Sequence, residues 1–169
     1  MPPDLLVWLV NEWGSAPRAA AGEERTPYPD PAPLGAAAGT PAEVADRLHR
    51  IFATDSTERV RLLAAILAQT GVRPGIALDG GLPRESWHVD DPAHALLAAA
   101  ALTLRHQLSA HDPARVGTCT GRASSGQHCA DAYIDASPGG QRRFCSVTCQ
   151  NRARVAAWRQ RQGTGRRRG

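Results

Sequence analysis

The sequence predicts an α+β protein: a mainly helical front domain with one β-hairpin, then a small cysteine-rich module that ends in an arginine-rich helix. Three observations carry this. Residues 1–112 contain apolar stretches with helical period and helix start and stop residues. Between residues 73 and 89 the period changes to short strand-like runs around a glycine-rich turn. All four cysteines fall between Cys119 and Cys149, and Gln150-Asn151-Arg152-Ala153-Arg154 follows at once.

Taken in order, Asp4 to Trp13 presents Leu5, Leu6, Leu9 and two tryptophans, Trp8 and Trp13, in a pattern that fits a short helix or a strand. Asn11 and Glu12 are polar residues in this apolar setting; they line a small-molecule pocket, face solvent or cap a turn. Ser15 to Gly39, with Pro17, Pro27, Pro29, Pro31 and Pro33, reads as a Pro/Gly/Ala-rich loop, in part disordered. Thr40-Pro41-Ala42-Glu43 is a helix start, with Thr as N-cap, Pro in the first turn and Glu43 closing a capping box. Val44, Leu48, Ile51 and Phe52 then share a face. Asp55, with Glu58 three residues on, opens a second helix carrying Val60, Leu63, Ile66 and Leu67 to a stop at Gly71. Ile76-Ala77-Leu78 and Ser86-Trp87-His88-Val89 flank Asp79-Gly80-Gly81-Leu82-Pro83 as a hairpin, with His88 on its surface. Asp91-Pro92 starts a third helix through Leu96, Leu97, Ala100, Leu104 and Leu108, and Asp112-Pro113 ends it. The expected division is a front domain at 1–112, a finger at 113–162 and a basic tail at 163–169.

The cysteines are spaced Cys119, nine residues, Cys129, fifteen residues, Cys145, three residues, Cys149. The first residues lack a cationic stretch, and Leu5 to Val10 is too short for a signal core or a membrane span, so a cytoplasmic, reducing location is expected. There, clustered cysteines serve as thiolate ligands more often than as disulfides. One structural zinc on Cys119, Cys129, Cys145 and Cys149 is the default; an iron–sulfur cluster and plain buried or redox-active thiols are the alternatives, and His128 or His111 could replace a cysteine. Tyr133-Ile134-Asp135 and Arg142-Arg143-Phe144 look like two strands of a hairpin about Ser137-Pro138-Gly139-Gly140. Cys145 and Cys149, four apart, would share a face in the first turn of the last helix. Knuckle, hairpin and ligand-bearing helix make a treble-clef-like finger.

Charge divides the chain. The net charge is +4, but residues 1–112 carry 9 Arg against 14 Asp and Glu, whereas residues 113–169 carry 11 Arg against 2 Asp. From Gln141 onward there are nine arginines and no acid, a cationic footprint suited to phosphates. All 20 basic residues are arginine. Wound at about 100° per residue, Gln150 to Gln162 puts Asn151, Val155 and Trp158 on one face, with Arg152 and Arg159 on one side and Arg154 and Arg161 on the other. Val155 and Trp158 would seal the finger's core. The opposite face, with Ala153, Ala156, Ala157 and Gln160, would approach a groove closely while guanidinium groups reach phosphates or guanine edges. Arg142 and Arg143 add phosphate contacts from the second strand or merely flank the metal site. Arg166-Arg167-Arg168 reads equally as a non-specific tail.

The run Phe144-Cys145-Ser146-Val147-Thr148-Cys149-Gln150-Asn151-Arg152-Ala153-Arg154 resembles the C-terminal zinc finger called CGNR. The chain ahead of it, with Leu9-Val10-Asn11-Glu12-Trp13 near its start, looks like the ABATE domain that usually accompanies that finger. Members of this family are generally described as stress-linked transcription regulators. The resemblance implies zinc on the four cysteines and DNA binding by Arg152, Arg154 and their neighbours. Gln150 stands where the family has its name-giving glycine, the second cysteine pair has one residue fewer than usual, and the first pair is widened. The finger resemblance covers about the last third of the chain.

The expected function is a zinc-dependent, DNA-binding transcription regulator whose front domain receives a signal or a protein partner. The alternatives are a module that binds an acidic partner of the transcription machinery, and RNA binding. No Walker loop, dinucleotide fingerprint or metalloprotease motif is present, so no enzyme and no membrane partner is expected. The sequence leaves the oligomeric state open, though one basic helix is a small footprint that a dimer would enlarge.

Overall fold

The computed structural model describes residues 1–35 and 40–165. Its elements are α1 (Pro3–Trp13), α2 (Ser15–Ala21), α3 (Pro41–Phe52), α4 (Ser56–Thr70), β1 (Arg73–Asp79), β2 (Leu82–His88), α5 (Ala95–Ala110), β3 (Val116–Thr118), β4 (Ala132–Ile134) and α6 (Val147–Gly165). This is the expected α+β arrangement. Two separate antiparallel pairs, β1 with β2 and β3 with β4, make up the strands. No described helix is long and apolar enough to cross a membrane.

The core is a packet of α1, α3, α4 and α5. Leu6, Leu9 and Val10 of α1 meet Leu48, Ile51 and Phe52 of α3, Leu63 and Ile66 of α4, and Leu97 and Leu104 of α5. The undecided stretch at the N-terminus is therefore a helix, because burying residues 6, 9, 10 and 13 needs the 3.6 period that a strand lacks. Local signals set the ends of α4. Asp55 Oδ1 accepts from the Thr57 and Glu58 amides at 2.9 and 3.0 Å, and Gly71 closes the helix with φ +62°. Thr40 precedes α3 with extended backbone but makes no side-chain cap. Val60, placed on the core face by the sequence, is 58% exposed.

One expectation for the front domain needs correction. Ser15 to Gly39 is not wholly loop. Its first seven residues form α2, which ends at Gly22 in the left-handed region (φ +81°), with the Glu23 amide reaching back to the Arg18 carbonyl at 2.8 Å. Pro17 lies early in the helix, where its missing N–H deprives no carbonyl of a partner. The segment is also tied down by a stack: Trp13 and Tyr28 lie 4.9 Å apart and nearly parallel, and the buried Arg18 guanidinium sits over Tyr28 and donates to the Glu12, Glu23 and Thr26 carbonyls. Residues 36–39 lie outside the described residues. The junction at residue 112 is closely packed. Val116 and Ala132, on the first two finger strands, are buried in the same core as α1 and α3. The finger is built onto the front domain with no flexible spacer, since Asp112 caps a 3-10 turn at Pro113–Arg115 that leads straight into β3.

Candidate metal centre and basic helix

The four cysteines come together. Their Sγ atoms all lie within 4.8 Å of one another, with Cys119, Cys129 and Cys149 buried and Cys145 partly so. Cys129 Sγ is 3.8 Å from both Cys145 Sγ and Cys149 Sγ. Zn–S bonds of about 2.3 Å arranged tetrahedrally set S···S edges of about 3.8 Å, so the spacing suits one ion held by four thiolates. A four-iron cluster would interpose irons and sulfides and hold the thiolates farther apart. His128 is exposed in a β-bridge with Arg122, and His111 is exposed at the end of α5, so neither belongs to the ligand group.

Backbone geometry brings this about in two halves. Cys119 donates its amide to the Asp131 carbonyl at 2.8 Å, and Cys129 donates to the Gly121 carbonyl at 3.0 Å; the nine intervening residues fold back as a loop whose ends lie side by side. Gly121 sits so close to the ligands that an added Cβ would meet Cys149 Cβ at 3.2 Å and Cys119 Sγ at 3.3 Å. For the second half, Ser146 is the cap of α6, its Oγ accepting from the Cys149 amide at 3.2 Å. Cys149 therefore lies in the first turn, but Cys145 precedes the helix, contrary to the expectation that both share its first turn. The signal was Ser146 itself, a residue of N-cap type three before Cys149.

The expected hairpin between 133–135 and 142–144 does not form. β4 pairs instead with β3, in the register Val116 with Ile134, Gly117 with Tyr133 and Thr118 with Ala132. Residues 142–144 are irregular because their polar groups serve other partners. The Arg142 guanidinium donates to the Phe144 and Cys145 carbonyls and lies over the Tyr133 ring, and the Arg143 carbonyl accepts from Thr120 N and Oγ1 at 3.0 and 2.9 Å. Arg142, proposed from sequence as a phosphate contact, is engaged in holding the Cys145 loop. Asp135 shapes the same loop by accepting from the Ser137 amide at 2.9 Å and the Arg142 amide at 2.8 Å. Hydrogen bonds from Ser137 and Arg142 hold its carboxyl down to about 2.

Electrostatics also favour a cation among the thiols. Burial pushes the Cys129 thiol up to about 12, and burial likewise raises Cys145. Burial acts against Cys149 too, but hydrogen bonds from Cys145, Cys129 and Ser146 outweigh it and bring that thiol below its ordinary value. Without a cation Cys129 and Cys145 thus tend to hold their protons. A divalent ion supplies the charge that lets all four ionise.

Polar contacts that the sequence did not reveal join the centre to the front domain. Asn11 Oδ1 accepts from the Ala132 amide at 2.7 Å, and Asn11 Nδ2 donates to the Ala132 carbonyl at 3.2 Å, so one carboxamide acts as a one-residue strand on the free edge of β4. His49 Nε2 donates to the Ala130 carbonyl at 2.7 Å. Ser124 and Ser125 hydroxyls donate to the Ala21 and Ala20 carbonyls at the end of α2, and Ala20 packs into the cysteine core. Of the three roles considered for these residues, Asn11 takes neither pocket, solvent nor cap, its carboxamide being bound to Ala132, whereas Glu12 is exposed. Asn11→Ala would leave both polar groups of the fully buried Ala132 unpaired, costing about 2 kcal/mol. We expect a melting temperature lower by about 4–8 °C, with Asn11→Asp intermediate because it keeps the acceptor; a wild-type melting temperature for Asn11→Ala would remove the contact's importance.

The basic helix α6 is 19 residues long and about 28 Å in length. Arg152, Arg154, Arg159 and Arg161 are exposed along it, as is Arg143 ahead of it. Val155 and Trp158, expected to seal the finger's core, are instead 47% and 56% exposed. That core consists of the cysteines, Ala20, Ala123, Ala130 and Phe144, a group too small to reach the second turn of the helix and beyond. Val155 and Ala156 border a groove of about 470 Å³ with Arg122, Ala123, Asn151, Arg152 and Arg159 around it. Gly163 to Gly165, assigned to the tail, continue α6, and Arg166-Arg167-Arg168 lie outside the described residues.

A search of the curated proteins finds no match to this chain. The family model of the CGNR zinc finger matches residues 115–162, a span holding all four clustered cysteines and α6 as far as Gln162. By that match and by the geometry of its ligands, this segment is a zinc finger similar to those of the CGNR family, built to hold one structural zinc.

Proposed function

We propose that the chain is a zinc-dependent DNA-binding transcription regulator, in which α6 contacts DNA and the front domain receives the signal or partner. The observation that carries this reading is the exposure of Arg152, Arg154, Arg159 and Arg161 on a helix whose segment has no acidic residue from Gln141 to the end of the chain. Guanidinium groups so arranged can straddle phosphates from both sides of a helix face lined by alanine. Zinc fixes the start of that helix through Cys149, so the metal acts by positioning. The front domain, read as ABATE-like from Leu9 to Trp13, is rigidly tied to the finger through Asn11 and His49. A ligand or partner that moved α1 or α3 would therefore move the metal centre.

The test is binding to duplex DNA as salt is raised. Arg154→Ala and Arg159→Ala should each weaken binding and lower the slope of log affinity against log salt by about 1, because each lost phosphate contact releases about one counterion fewer. Both variants behaving as wild type would eliminate α6 as the DNA-contacting element.

The exposed Val155 and Trp158 favour a second reading, since phosphates have no use for apolar surface. A groove edged by Arg122, Arg152 and Arg159 with an alanine and valine floor suits an acidic amphipathic segment of a transcription protein. Absence of salt-sensitive DNA binding by a zinc-loaded protein would turn the assignment to that partner.

A further inference from the structure

The β1–β2 hairpin carries apolar side chains in the open. Ile76 is 79% exposed and Leu78 is 75% exposed, on strands that, among the described residues, pair only with each other, over seven residues. An isolated two-stranded ribbon is at best marginally stable in water, and a bare edge invites another strand.

The register fixes which groups face outward. Asp79 pairs with Leu82 across Gly80 and Gly81, whose φ angles of +56° and +82° make a two-residue turn of the type that suits the twist of a hairpin. Asp79, Ala77, Gly75 and Arg73 then direct their amides and carbonyls to β2, and Pro74, Ile76 and Leu78 direct theirs away. The side chains of Pro74, Ile76 and Leu78 share one face with Pro83, Glu85 and Trp87 across the ribbon.

We propose that a second copy of this chain occupies this edge, through antiparallel β1–β1 pairing about a two-fold axis at Ile76 that builds a four-stranded sheet. The inference is independent of the DNA-binding reading. It rests on charge and donor complementarity along Arg73-Pro74-Gly75-Ile76-Ala77-Leu78-Asp79. Centred on Ile76, this strand places each Arg73 opposite the other copy's Asp79, oppositely charged at both ends. Ile76 meets its own counterpart and exchanges two backbone hydrogen bonds with it. Leu78 meets Pro74 of the other copy, and the Pro74 carbonyl accepts the Leu78 amide, so the amide that proline lacks costs one bond at each end. Arg73 already pairs with Asp90 on its own chain, which orients the guanidinium and leaves further N–H groups for the second carboxylate. The other edge is less suitable: a β2–β2 pairing at the same level would set Glu85 against Glu85. The contact is small, so the dimer is expected to be weak and concentration-dependent.

Sedimentation equilibrium of the full chain over a range of concentrations tests this. Wild type should pass from monomer to dimer, and Ile76→Asp should stay monomeric. Arg73→Asp and Asp79→Arg, each of which sets like charges opposite one another twice per dimer, should each weaken association about tenfold. The double variant Arg73→Asp/Asp79→Arg should recover to within about threefold of wild type, a result that also shows the substitutions leave the hairpin folded. A wild-type protein that is monomeric at every concentration, a dimer indifferent to Ile76→Asp, or a double variant no better than the singles would each overturn the proposal.

Discussion

Chelating the zinc, or replacing Cys149 by serine, should unfold the finger and lower the melting temperature of the rest of the chain by more than about 10 °C. Structural zinc in a small finger contributes on the order of 10 kcal/mol of apparent folding free energy near neutral pH. The finger has little else: among the described residues, only Ala20, Ala123, Ala130 and Phe144 pack around the centre beside the cysteines themselves. Burial raises Cys129 and Cys145, so a centre deprived of its ion takes up protons, and neutral thiols have no strong mutual attraction. The loss then spreads. β3 and β4 contribute Val116 and Ala132 to the main core, and Asn11 and His49 would lose their partners on β4 and the residues before it. Thermal unfolding followed by circular dichroism, with and without chelator, gives the readout together with metal content. A single unchanged transition in metal-free protein would refute the claim that the metal supports both parts.

Arg59→Ala should cost about 3 kcal/mol and lower the melting temperature by about 6–12 °C. Arg59 is 5% exposed and, among the described residues, has no carboxylate partner within salt-bridge distance; its guanidinium instead donates to backbone carbonyls. Nε reaches Ile51 O at 2.9 Å, Nη2 reaches Thr54 O at 2.8 Å and, more loosely, Phe52 O at 3.4 Å, and Nη1 reaches Pro113 O at 2.8 Å. Three of these carbonyls are at or just past the end of α3, where the helix dipole presents partial negative charge. The fourth belongs to the turn that leads into the finger. One planar fork thus closes a helix and anchors the entry to β3. Burial lowers the Arg59 pKa, yet guanidinium stays charged at any working pH. Arg59→Lys should recover only part of the loss, because a point-like ammonium cannot span carbonyls on both sides. Equal stability of Arg59→Lys and wild type would contradict the bridging role.

Local chemistry made much of this fold legible. The Asp55 cap, the Gly71 stop and the Gly80-Gly81 turn are decided by residues within a few positions of one another, and each forms where the sequence puts it. The four cysteines were equally legible, because a metal centre announces itself by residue type. What the sequence concealed depends on partners far along the chain. Tyr133-Ile134 has the look of a strand, but nothing local says that its neighbour is Val116-Gly117-Thr118 and not Arg142-Arg143-Phe144. Helical period shows that Val155 and Trp158 share a face with Asn151 without showing whether anything is large enough to cover it. Proline count disguised α2, whose stability comes from Arg18, from Tyr28 and from packing of Ala20 on the cysteines. Asn11 looked like a pocket residue or a cap because its true partner is 121 residues away.

That separation governs how the protein must be made. Synthesis proceeds at about 5–20 residues per second, so roughly 6–24 s pass between the emergence of Asn11 and that of Ala132. During this interval α1 offers an unmet carboxamide, and the core shared by α1 and α3 lacks Val116 and Ala132. The last ligand, Cys149, arrives later still. Metal supply therefore acts as a late checkpoint on this core: a cell short of zinc would accumulate chains whose front is nearly formed and whose missing wall leaves them open to proteolysis.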